Sequence, residues 1–144
     1  MKVTSNPQVY MEPGTYYIGD LCYVLNNSWD EFCKLTIRDN ECLDGGFRFA
    51  DGREFVSFTT IYGDGTYTDE EGFKYPVDAG LIGCIRIEDM DCISGGADIF
   101  RGQIRAFTKP FICEKIGSVL YFGKVAIDLD PCDVEEDEEE YDYE

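Results

Sequence analysis

The chain contains no histidine. That removes the commonest general base, the commonest metal ligand and the side chain whose ordinary pKa lies nearest neutrality. Ser-His-Asp triads, His-assisted cysteine chemistry and His-bearing zinc sites are excluded within one chain. Basic residues are scarce too: 12 Lys and Arg stand against 30 Asp and Glu, a formal net charge of -18. A grip on phosphate backbones needs clustered Lys and Arg, so no direct nucleic-acid binding is expected. No apolar stretch approaches the roughly 20 residues that cross a bilayer. The opening MKVTSNPQVYMEPG does not read as a secretory signal, so no membrane role is expected. Cys22, Cys33, Cys42, Cys84, Cys92, Cys113 and Cys132 form no C-x-x-C pair, which argues against a zinc knuckle or a thioredoxin-type site. Their odd number without a secretory signal fits a reducing cytosol, and the expected location is cytoplasmic. Cys84, inside GLIGCIRI, reads as a small buried hydrophobe.

What is present begins with acid. Residues 133–144, DVEEDEEEYDYE, hold nine carboxylates and no basic residue, and the other 132 residues carry a net charge of -9. Self-repulsion and so little to bury predict a disordered acidic tail over 133–144, behind one compact β-rich domain over 1–132. The plain reading of that tail is a solubility device. The sharper one is an acidic lure for a basic surface, with Tyr141 and Tyr143 as anchors.

Most of the chain has the two-residue period of strands. A Pro13-Gly14 turn leads into TYYIG and DLCYVL. At NNSWDEFCKLTI the period changes: Ser28 and Glu31 have capping-box spacing, and Trp29, Phe32, Cys33 and Ile37 can share a helical stripe. One helix of about 9 residues is expected, starting after Ser28 and ending before Asp39-Asn40, with Trp29 in the core. Asp51-Gly52, Asp64-Gly65 and Glu71-Gly72 mark successive reversals. In LIGCIRIE, alternation groups Leu81, Gly83, Ile85 and Ile87 opposite Arg86 and Glu88. Further on it groups Phe100, Gly102, Ile104 and Ala106 opposite Arg101, Gln103 and Arg105. In the last run it groups Val119, Tyr121, Val125, Ile127 and Leu129 opposite Lys124, Asp128 and Asp130. Such patterns favour antiparallel strands with one wet face. Fifteen glycines, many beside or within strands, suggest strong curvature. The expected fold is mainly β: a curled antiparallel sheet or partly open small barrel, closed at one side by one short helix.

Three blocks set an aspartate beside glycine: YYIGDLCYV, YGDGTYTDEEG and VDAGLIG. With Trp29 between the first two, they resemble a family of short proteins of bacteria, archaea and their viruses. Its pattern runs Y-x-I-G-D-P-C-Y-V, then Y-G-D-G-x-Y-x-D-x-x-G, then V-D-x-G-x-I-G. The resemblance spans residues 14–85 and departs at Leu21, where the family often has proline. It implies a shared fold and no assigned activity, and it singles out Asp20, Cys22, Tyr62, Asp64, Asp69 and Asp78. The plain reading of these aspartates is that they cap turn amides beside permissive glycines. The alternative is a carboxylate site for Mg or Ca, for which Asp64, Asp69, Glu70 and Glu71 lie close in sequence, though without the ligand spacing of an EF-hand. Cys22 is a poor nucleophile, because Asp20 beside it disfavours the thiolate.

Two functions from different classes follow. The first is a small acidic cytoplasmic protein-binding module, a viral accessory or inhibitory factor acting on a basic protein surface, with no cofactor and more binder than enzyme. It rests on the charge, the missing histidine and the 10 Tyr and 10 Phe, and it requires an exposed aromatic patch near Asp and Glu. The second is a divalent-metal-dependent hydrolase or small-ligand binder built on the Asp/Gly blocks. It requires Asp20, Asp64 and Asp78 to converge in a concave pocket.

Overall fold

The computed structural model describes residues 8–60, 63–91 and 102–129; Tyr62, Tyr141, Tyr143 and the acidic tail over 133–144 lie outside the described residues. The chain forms two antiparallel sheets and one short helix. β1 (Val9–Met11) and β2 (Gly14–Gly19) part at Glu12-Pro13 and enter different sheets. A proline cannot donate to a ladder, so the break falls where pairing would fail anyway.

The five-stranded sheet has the order β10-β2-β9-β6-β5. Its other strands are β5 (Gly45–Arg48), β6 (Glu54–Thr59), β9 (Leu81–Arg86) and β10 (Gln103–Phe107). The six-stranded sheet has the order β1-β11-β12-β13-β7-β8. It contains β7 (Gly65–Asp69), β8 (Lys74–Val77), β11 (Phe111–Ile116), β12 (Val119–Phe122) and β13 (Val125–Asp128). A small hairpin, β3 (Ile37–Arg38) and β4 (Glu41–Cys42), follows the helix. Asp39 and Asn40 both take positive φ there (55° and 68°), as a two-residue hairpin turn requires.

The sheets face each other across one core, in which Tyr16, Ile18, Val56, Phe58, Ile82 and Cys84 meet Tyr67, Tyr75, Cys113, Leu120, Phe122 and Ile127. A second core lies on the outer face of the five-stranded sheet, under helix α1 (Trp29–Thr36). Phe32 stacks on Phe55 at 5.0 Å, and Trp29 stacks on Phe32 at 4.4 Å. The central strands are therefore buried on both sides. Leu81 and Ile85 face the helix while Ile82 and Cys84 face the other sheet, so LIGCIRIE has no wet face over its first five residues. Lys115 ties the two layers together from β11: its Nζ lies 2.8 Å from Asp44 Oδ2 and donates to Thr59 O at 2.9 Å. The sheet edges also approach each other without a ladder. Gln103 of β10 donates to Lys74 O of β8 at 3.0 Å, and a Cβ on Gly46 of β5 would lie 3.0 Å from Val9 of β1. The sheets do not close into a tight barrel.

Three local expectations are corrected. On β10, Ile104 and Ala106 point outward, because Phe107 turns inward to stack on Phe111 at 3.8 Å and Arg105 reaches Asp69. The run VLYFGKVAIDLD is a hairpin and not one strand. A turn at Gly123-Lys124 pairs Leu120 with Ile127 and Phe122 with Val125 on the core face, leaving Val119 and Tyr121 on the other. The helix starts at Trp29, but Ser28 and Glu31 form no capping box. Ser28 Oγ instead joins Asp91 and Arg53, and Glu31 accepts from Ala50 N–H. Among the described residues, no helix is long and apolar enough to cross a membrane.

Candidate functional site

The Asp/Gly blocks meet at one end of the five-stranded sheet, and Asp20 organises the meeting. Fully buried, it follows β2 and caps a 3-10 turn over Leu21–Tyr23. Its Oδ1 accepts from Cys22 N–H at 2.9 Å, and its Oδ2 accepts from the backbone N–H groups of Asp78 (2.7 Å) and Ala79 (2.6 Å). A carboxylate this deep is tolerated because several donors replace its water. Burial, reinforced by the Asp20 carboxylate it bonds to, pushes the Cys22 thiol far above its ordinary value. Cys22 is thereby kept protonated, the opposite of what a nucleophile needs.

The third block joins through the backbone. Asp78 is exposed, and its Oδ2 accepts from Tyr23 Oη–H at 2.8 Å. Thr60 N–H donates to Gly80 O at 3.0 Å, and Thr60 Oγ1–H donates to Gly63 O at 2.8 Å. Gly63 and Gly80 both sit at φ +79°, a conformation that explains the glycines of those blocks. Leu21 is fully buried and lies against Gly83.

The structure thus brings Asp20, Cys22 and Asp78 together as a backbone-fixing network. Asp64 stands exposed on its own turn. Asp69 is buried elsewhere and serves the β7–β8 turn. Its Oδ1 accepts from Glu71 N–H (2.9 Å) and Phe73 N–H (3.0 Å), its Oδ2 accepts from Tyr75 Oη–H (2.7 Å), and Arg105 lies 3.6 Å away. Burial and the Asp69 carboxylate push the Tyr75 hydroxyl well up. Glu70 is exposed beside it. Among the described residues, no three Asp, Glu or Cys side chains gather to hold a metal ion.

A different surface carries exposed apolar side chains. On the outer face of the six-stranded sheet, Tyr10 is 62% exposed, Ile112 43% and Ile116 56%. Tyr10 pairs with Ile112 across β1 and β11, Glu114 with Tyr121 across β11 and β12, and Ile116 with Val119. Tyr10, Ile112, Glu114, Ile116 and Tyr121 line one shallow groove of about 430 Å³. Alternation along FICEKI gives no preference, because its two registers look alike: Phe111, Cys113 and Lys115 against Ile112, Glu114 and Ile116. The pairing of Lys115 with Asp44 turns the cation inward and both isoleucines outward. A short strand with apolar residues in both registers is the signal that could have revealed the strip. No family model, curated protein or solved structure matches the chain.

Proposed function

We propose that this protein is an acidic protein-binding module that docks a basic partner protein on the outer face of the β1-β11-β12 sheet. The observation that carries the reading is the strip of Tyr10, Ile112 and Ile116, laid open around Glu114 on a chain of net charge -18. Exposed Ile37, Phe73 and Ile104 are scattered elsewhere, as single apolar residues on ordinary surfaces are. The strip is contiguous across adjacent strands, which is how anchor residues of an interface are arranged. Charge selects the kind of partner. Two copies of so acidic a chain repel, whereas a basic protein is drawn in and held in register. The Asp/Gly network supports this division of labour, since its one buried carboxylate, Asp20, is spent on backbone amides.

The test is capture from a cell extract by full-length wild-type protein and by the Ile112→Ser/Ile116→Ser variant, each at low and high salt. A basic protein retained by wild type, lost on the double substitution and weakened by salt supports the reading. Retention unchanged by the double substitution would sink it.

A further inference from the structure

The two sheets differ in how their outer faces are covered. Helix α1 covers that of the five-stranded sheet, burying Tyr17, Phe55 and Ile85. Among the described residues, no helix lies over the six-stranded sheet, where Tyr10, Ile112 and Ile116 are left exposed. The exposed strip also constrains what can lie on it. β11 is paired with β1 over Phe111–Cys113 and with β12 over Cys113–Ile116. The backbone donors and acceptors of a strand lie in the plane of its sheet, so the face offers side chains only. A helix laid there brings its backbone already hydrogen-bonded, whereas an extended peptide finds no ladder on this face to add to.

The spacing agrees. Ile112, Glu114 and Ile116 follow at two-residue steps, about 6.7 Å apart along the strand. Positions i, i+4 and i+8 of a helix are about 6 Å apart along its axis. Glu114 accepts from Gln8 Nε2 at 2.6 Å, a neutral contact, and among the described residues no cation pairs with it. A carboxylate between two isoleucines is a costly neighbour for an apolar ligand and a good one for Lys or Arg.

We propose that the partner docks as a basic amphipathic helix lying along β11, with a Lys or Arg on Glu114 between apolar side chains seated on Ile112 and Ile116. This rests on the docking reading above and specifies its ligand. A second copy is a poor occupant, because its α1 is already packed on its own sheet and its charge repels. Residues 133–144 are another, because they hold nine carboxylates and no cation to meet Glu114.

The probe is a synthetic helical peptide bearing Leu-x-x-x-Lys-x-x-x-Leu, titrated by fluorescence anisotropy against the full-length protein. Circular dichroism and thermal melting confirm that each protein variant is folded. Wild type should bind, Glu114→Lys should weaken binding at least tenfold, and exchanging the peptide lysine for Glu should restore it on that variant. A central proline in the peptide should abolish binding. No binding to wild type, equal binding of the proline or a scrambled peptide, or indifference to the charge exchange would each overturn the inference. Tighter binding after deletion of 133–144 at constant salt, or a dimer lost in Ile112→Ser/Ile116→Ser, would overturn it in favour of the other occupants. If the peptide fails while the double variant still loses a captured basic protein, the helix and Glu114 fall and the docking face stands. If the double variant loses nothing, the docking face falls as well.

Discussion

At the scale of single residues, Asp20 is the polar group on which most depends. Three backbone N–H groups, from Cys22, Asp78 and Ala79, end on its carboxylate inside the fold. Asp20→Ala strands all three and should cost about 3–5 kcal/mol in urea unfolding, whereas Asp20→Asn, which keeps the shape and one acceptor, should cost about 2 kcal/mol. Cys22 gives a chemical readout of the same carboxylate. Its thiol is pushed up by burial and Asp20, so iodoacetamide at neutral pH should label exposed Cys42 well before Cys22, and Asp20→Asn should narrow the gap. Equal labelling rates in the native protein would contradict that placement. Tyr16 sets a pH dependence. Burial in the core between the sheets pushes its hydroxyl from 10.0 up to about 12, despite the nearby Arg86. The folded state holds this proton more tightly than the unfolded one, so its contribution is complete below pH 10 and is lost as pH rises from 10 to about 12. Urea unfolding across that window should show wild type losing more stability than Tyr16→Phe.

At the scale of elements, double burial of the central strands makes close contacts decisive. A Cβ on Gly83 would sit 2.3 Å from the Val56 carbonyl oxygen and 2.6 Å from Leu21 Cδ1. Gly83→Ala should therefore destabilise by about 3 kcal/mol, and trimming Leu21 should recover little, since the worse clash is with backbone. Full recovery by Leu21→Ala would show that the strand shifts. The elements themselves were legible where local chemistry dominates: the helix after Ser28, the reversals at Asp51-Gly52 and Glu71-Gly72, and a mainly antiparallel fold. Which way the strands face was less legible. Period-2 reading assumes that charge points to water, yet Lys115 and Arg105 turn toward carboxylates of the opposite layer, and Ile112, Ile116 and Ile104 turn out in exchange. The hairpin turn at Gly123-Lys124 reverses parity within what reads as one run. The Asp/Gly blocks were visible as a set, but their use as backbone ligands depends on contacts 58 and 59 residues apart in sequence.

At the scale of the whole molecule, the fold separates a stabilising end, where the aspartates secure turns, from an open face with exposed isoleucines. Because Ile112 and Ile116 keep about half of their surface exposed, the Ile112→Ser/Ile116→Ser variant should remain folded, within about 2 kcal/mol of wild type, while losing its partner. That separation of stability from binding is expected of an interface and not of a core. The most direct measurement is methyl NMR of the isoleucines during titration with a basic amphipathic helix. Ile112 and Ile116 should shift and saturate together, while Ile104 and Ile37, equally exposed on other surfaces, should stay in place. Shifts confined to Ile104 or Ile37, or no saturable shift at Ile112 and Ile116, would contradict docking on the six-stranded sheet.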